Sequence, residues 1–135
     1  MIDELKNIEY VLFDLDGTGS DSSEGITKSA DKALKSEGIN VPFETLTSFI
    51  GPALRVSFGR YTDDVEKRDR MLDVYRERYS EKGWCENKIY PGMAELLRDL
   101  QKSGKHVVLA SAKPEYFCRK IIKYFGVEQY FDFIG

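Results

Sequence analysis

Asp14 and Asp16 stand two residues apart, directly after the apolar run Tyr10-Val11-Leu12-Phe13 and directly before Gly17 and Thr18. Two carboxylates that close repel each other unless a cation or a division of protonation states relieves them. A hard cation such as Mg²⁺, which takes oxygen ligands, is the natural relief, with Asp14 and Asp16 as its ligands. If the extended backbone continues through Asp16, both carboxylates share one face. Gly17 and Thr18 then let the chain turn, so that backbone N–H groups can face an anion. The bland alternative is a pair of turn residues closing a strand. The longer string Phe13-Asp14-Leu15-Asp16-Gly17-Thr18 after an apolar strand is more specific, and it points to a metal and phosphate site. A second polar cluster, Ser111-Ala112-Lys113-Pro114, follows the apolar run His106-Val107-Val108-Leu109-Ala110. Taken alone, Ser111 reads as a helix cap, and Lys113 either reaches an anion or sits solvated in a loop. His106 is the single histidine. It reads as the start of its strand, and its solitude removes most His-based mechanisms.

The elements that position these residues follow from periodicity. Short apolar runs at Tyr10–Phe13 and His106–Ala110 predict buried strands of a parallel sheet. A third strand begins in Tyr130-Phe131-Asp132-Phe133-Ile134-Gly135. Ligands bind at the carboxyl ends of such strands, where both polar clusters fall. Ile26, Ala30, Ala33 and Leu34 predict a helix from Glu24 that Gly38 stops. A short helix is expected from Ala53 to Gly59, after Gly51-Pro52. Met71, Leu72, Val74, Tyr75 and Tyr79 mark an amphipathic helix over Val65 to Lys82. Met93, Leu96, Leu97 and Leu100 mark another, capped by Gly104. Phe117, Ile121, Ile122 and Phe125 mark the last, with Pro114 in its first turn. The order is that of an α/β fold with a parallel, Rossmann-like core and right-handed crossovers. An all-helical stretch interrupts it. The division is core over 1–19, a helical cap over 20–88, and core again over 89–135.

Composition narrows the class. The 135 residues suit one domain or a core with a small insertion, and a 41% hydrophobic and 13% aromatic content supports a packed core. Twenty basic and 23 acidic residues give a net charge of −3, without the basic stripe of a nucleic-acid binder. Cys85 and Cys118 are too few for a disulfide scaffold and read as thiols of a reducing cytoplasm. No apolar run approaches the roughly 20 residues of a membrane span. A cytoplasmic protein without nucleic-acid or membrane partners is expected.

The string Phe13–Thr18 resembles the first motif of the haloacid dehalogenase-like phosphohydrolases. The resemblance continues through Asp21-Ser22, Glu24-Gly25-Ile26, Ile50-Gly51-Pro52, Tyr90-Pro91-Gly92 and Ser111-Ala112-Lys113-Pro114. Together these look like the phosphoglycolate phosphatase-like branch, which includes 5′-nucleotidases and carries a helical cap after the first motif. The resemblance implies a Mg²⁺-dependent phosphomonoesterase acting on a small phosphorylated metabolite or a nucleoside monophosphate. It implies Asp14 as the nucleophile that forms an aspartyl-phosphate, and Asp16 as general acid and then base. Mg²⁺ would bind the Asp14 carboxylate and the Asp16 backbone carbonyl. Gly17, Thr18, Ser111, Ala112 and Lys113 would bind the substrate phosphate, Ser111 matching the second motif. Gly51, Pro52 and Arg55 would lie in the cap, whose residues line the leaving-group pocket.

Two departures from the family pattern stand out. Gly19 replaces an apolar residue, removing a contact and adding backbone freedom. The family's third and fourth motifs, a lysine and one or two aspartates, lie downstream of the strand that starts near Phe131. The chain is therefore expected to be an inactive part of a longer phosphatase. Its first strand would then keep an open apolar edge, able to recruit another copy. Two rival readings are a non-catalytic binding or interaction module on the same fold and a two-component receiver-like domain. The long insertion after the first strand opposes the receiver.

Overall fold

A computed structural model describes residues 9–134. Two compact units emerge, one running to Asp21 and resuming at Lys88, the other comprising Ser22–Asn87.

The first unit is built on a parallel three-stranded sheet. Its strands are β1 (Tyr10–Phe13), β4 (His106–Leu109) and β5 (Phe133–Ile134), in the order β1-β4-β5. Tyr10 stands beside His106 and Phe13 beside Leu109. Val108 stands beside Phe133. Helices α5 (Met93–Lys102) and α6 (Glu115–Tyr124) make the crossovers. Both crossovers step the same way across the sheet, so right-handedness puts both helices on one face. That face carries the buried Val107, Leu109 and Ile134 against Leu97, Leu100, Ile121 and Ile122. Mean burial therefore alternates along each strand. Tyr10 is 58% exposed, Leu12 66% and Phe133 65%. This corrects the expectation that β1 and β4 are buried throughout: the described helices cover one face only. His106 stacks on Tyr10 on the open face, with ring centroids 5.0 Å apart. Among the described residues β1 pairs only with β4.

Pro114 sits at the N-cap of α6 rather than in its first turn, and Leu96 of α5 is exposed. The unit also contains a two-stranded antiparallel ribbon, β2 (Ser20–Asp21) with β3 (Lys88–Ile89). No periodicity marks so short a ribbon, and it was not expected from sequence. It brings together the two points where the chain leaves the sheet unit and returns to it.

The second unit is helical. It holds α1 (Ser23–Ser36), α2 (Phe43–Leu46), α3 (Leu54–Gly59) and α4 (Val65–Glu81). Asp64 caps α4, accepting from the amides of Glu66 and Lys67. Phe49, Phe58, Tyr75 and Tyr79 form its aromatic core, with Phe58 edge-on to both Phe49 and Tyr75. The predicted helices over 24–37, 53–59 and 65–82 agree with α1, α3 and α4 within one or two residues.

Two glycines let backbone meet backbone in this unit. A Cβ on Gly25 of α1 would overlap the carbonyl oxygen of Gly83, while a Cβ on Gly83 would fall 2.8 Å from both Ser29 Oγ and Tyr79 Cδ2. The Gly25 amide donates to Glu86 O at 3.2 Å. Nearby, Arg78 donates to Glu86 at 2.7 Å and 3.3 Å, and to Ser29 Oγ at 3.2 Å. The Arg78 and Glu86 side chains are only 15% and 17% exposed.

Gly25→Ala is expected to destabilise the helical unit by about 3 kcal/mol or more, since main chain cannot yield as a side chain does. Urea unfolding followed by circular dichroism measures it, and a loss below about 1 kcal/mol would contradict the close packing. Hydrogen bonding from Arg78 holds the Glu86 carboxyl below its ordinary value of 4.5. Because the folded value is the lower one, the stabilisation is complete above pH 4.5 and is lost as pH falls through the folded value. Glu86→Gln should lower stability at neutral pH by about 1–2 kcal/mol and flatten its decline in acid. An unchanged acid limb in this variant would contradict the assignment.

Candidate active site

The carboxyl edge of the sheet carries the site. In the parallel register the ends of β1 and β4 are level, and the Ala110 amide donates to Phe13 O at 2.8 Å. The segments that follow, 14–20 and 110–114, therefore start side by side.

Strand β1 ends at Phe13, so the extended path through Asp16 expected from sequence is not taken. The chain winds instead around one carbonyl. Leu15 O accepts from the amides of Thr18, Gly19 and Ser20, at 3.4, 3.0 and 3.1 Å. The buried Leu15 side chain anchors this turn, and Gly17 makes it possible with φ at +78°, a conformation that opposes any Cβ. The Gly17 amide donates to Ser20 O at 2.9 Å. In this conformation the amides of Gly17 and Thr18 are thus engaged inside the turn rather than open to an anion.

The two carboxylates occupy different surroundings. Asp14 is exposed, and its Oδ1 accepts from the Leu15 amide at 2.8 Å, which fixes the side chain at the strand end. Asp16 is partly buried. Its Oδ2 lies 3.2 Å from Lys113 Nζ, in a pair whose side chains are 16% and 9% exposed. Its Oδ1 is buried and has no hydrogen-bond partner. Lys113, which sequence left open between anion and solvent, is therefore directed into the site.

The 110–114 segment is held from two sides. Ser111 Oγ accepts from the Lys113 amide at 3.2 Å, and the Cys118 thiol donates to Lys113 O at 3.6 Å. Cys118 is buried in the first turn of α6, and burial pushes its thiol up against opposing effects of Ser111 and Lys113. Ala112 is exposed. From sequence Cys118 reads only as an ordinary thiol, not as a support of this loop. Its signal was the one-turn spacing from Pro114, which turns it back toward the loop.

A small apolar hollow of about 20 Å³ lies behind the turn, lined by Phe13, Leu15, Gly19, Met93 and Leu97 among others. A Cβ on Gly19 would approach nothing closer than 3.5 Å. A methyl there would sit in ordinary van der Waals contact, so no close approach demands the glycine. Arg55 lies in the helical unit and pairs with Asp69 at 3.3 Å, both exposed. His106 is at the opposite end of β4 from the site, near Asp132 at 3.5 Å.

The donor chemistry fits a hard cation. Asp14 and Asp16 offer oxygen only, the donor set that such a cation takes. Among the described residues no group of three or more acidic, His or Cys side chains could by itself enclose a metal. Nor is any helix among them long and apolar enough to cross a membrane.

The chain is 37% identical over 128 residues to the tyrosine-protein kinase PtkA of Mycobacterium tuberculosis, covering 94% of this chain and 44% of that one. It is 39% identical over 126 residues to a 5′-nucleotidase of Pseudomonas aeruginosa, covering 92% and 57%. Among solved structures, a haloacid dehalogenase-like hydrolase from Streptococcus pneumoniae superposes with a TM-score of 0.88 at 30% identity, covering 94% of this chain and 60% of that one. The chain thus spans about half the length of these curated relatives. The family model for haloacid dehalogenase-like hydrolases matches residues 11–135, and the chain belongs to that family.

Proposed function

We propose that the protein is a phosphomonoester hydrolase acting through an aspartyl-phosphate on Asp14. One observation carries this reading: an exposed carboxylate and a partly buried one sit on a tight turn, level with a serine and a lysine whose side chain is 9% exposed, at the same sheet edge. Like carboxylates in unlike surroundings can divide two tasks.

In the first step a carboxylate oxygen of Asp14 attacks phosphorus, and the bond from phosphorus to the leaving oxygen breaks. Asp16 gives its proton to that oxygen. In the second step water attacks phosphorus while Asp16 takes the water's proton, and the bond to Asp14 breaks. Ser111, Ala112 and Lys113 hold the phosphoryl oxygens beside the Asp14 end of β1, with Gly17 and Thr18 shaping the facing wall. The Asp14 carboxylate and the Asp16 backbone carbonyl would hold Mg²⁺, which when bound supplies counter-charge to a phosphate approaching an anionic nucleophile.

Substrates of this class are small phosphorylated metabolites or nucleoside monophosphates, the second being in line with the name of the Pseudomonas relative. The helical unit Ser22–Asn87 is proposed to be the family's cap, and the cytoplasm to be the site of action. The open edge of β1 is proposed as a contact for a second copy.

Asp14→Asn is expected to lower turnover of a generic phosphomonoester by at least about 10³-fold, and EDTA to abolish turnover until Mg²⁺ is restored. A phosphate-release assay on the full-length protein reads both. Activity retained in Asp14→Asn, with deamidation excluded by mass spectrometry, would overturn the nucleophile. Unchanged turnover in EDTA would overturn the metal.

A further inference from the structure

Lys113 is held at both its main chain and its side chain. Its amide is fixed by Ser111 Oγ, its carbonyl by the Cys118 thiol, and its ammonium lies 3.2 Å from Asp16. A lysine so clamped at the main chain keeps freedom only along its four-carbon stem. An ammonium on such a stem is a compact charge that can move between acceptors, unlike the planar guanidinium fork. Its present acceptor is incompletely satisfied, because Asp16 Oδ1 is buried with no partner. A pair built only for stability would be expected to satisfy both oxygens, since a buried carboxylate gains little from a bridge that leaves lone pairs unmet. A phosphomonoester dianion carries twice the charge of a carboxylate and would attract the same ammonium more strongly at equal distance.

We propose that Lys113 is a shared ammonium, which holds the Asp16 carboxylate in the empty site and transfers to the phosphoryl group when phosphate arrives. This rests on the phosphatase reading and adds to it a coupling: occupation of the phosphate site releases Asp16. Lys113 is then both a ligand for phosphate and the residue that positions Asp16 before substrate enters. No covalent bond changes in the exchange.

The test is a double-mutant cycle on the binding of inorganic phosphate, measured by calorimetry in EDTA so that no metal contributes. Four proteins are compared: wild type, Asp16→Asn, Lys113→Met and the double variant. If Asp16 and phosphate compete for Lys113, Asp16→Asn should tighten phosphate about tenfold in the wild-type background and less than about twofold beside Lys113→Met. Lys113→Met alone should weaken phosphate about tenfold or more. Equal tightening in both backgrounds would mean that Asp16→Asn acts only by removing negative charge, and would overturn the exchange. Phosphate affinity unchanged by Lys113→Met would overturn it also, while leaving the phosphatase reading intact. Wild type that binds no phosphate would overturn the exchange, whereas the phosphatase reading falls only with the turnover assays, so the two failures are distinct. Circular dichroism and a Cys118 thiol that stays unreactive to a disulfide reagent confirm folding. Lys113→Gln carries the same cycle if the methionine variant fails to fold.

Discussion

The site depends on the register of one parallel strand pair. Phe13 beside Leu109 makes β1 and β4 end together, and the hydrogen bond from Ala110 to Phe13 carries that alignment past the last paired residues. A slip of one residue would turn every side chain of β1 to the other face. It would also move the turn at residues 14–20 away from Ser111 and Lys113. The register is fixed from the buried face, where Val107 and Leu109 are packed against the two crossover helices. With β1 and β4 level, Lys113 Nζ lies 3.2 Å from Asp16 Oδ2.

On this frame the local chemistry is one of incomplete satisfaction. Three amides converge on Leu15 O, so the turn itself is rigid and internally bonded. The charged groups on it are less complete: Asp16 keeps one buried oxygen without a partner. An unmet buried polar atom in a folded protein calls for an explanation. The helical unit is built on close main-chain packing. Gly25 and Gly83 allow direct main-chain packing, and Glu86 answers both Arg78 and Lys28.

Much of this was legible in the sequence because periodicity and turn residues report local geometry. The strands at Tyr10–Phe13 and His106–Leu109 and the helices α1, α4, α5 and α6 follow from apolar spacing. So does the placement of Asp14, Asp16 and Ser111 at the carboxyl edge. What sequence could not provide is whatever depends on partners distant in the chain. Leu12 reads as buried because it is apolar, yet its exposure is decided by which face α5 and α6 cover. The ribbon of Ser20–Asp21 with Lys88–Ile89 rests on pairing between segments far apart in sequence. Asp16 with Lys113 is of the same kind, as is the thiol of Cys118 behind the loop. Gly17 and Thr18 invited an anion-binding reading by composition, but their amides are turned inward to the loop.

The central claim is that phosphorus becomes bonded to Asp14. The direct measurement is to mix the full-length protein with a phosphomonoester and Mg²⁺, quench rapidly in acid, and reduce with borohydride. Reduction converts an aspartyl-phosphate to homoserine, which peptide mass spectrometry locates. The account predicts homoserine at position 14, with Asp16 unchanged. Turnover without any homoserine, or with homoserine at another aspartate, would contradict it.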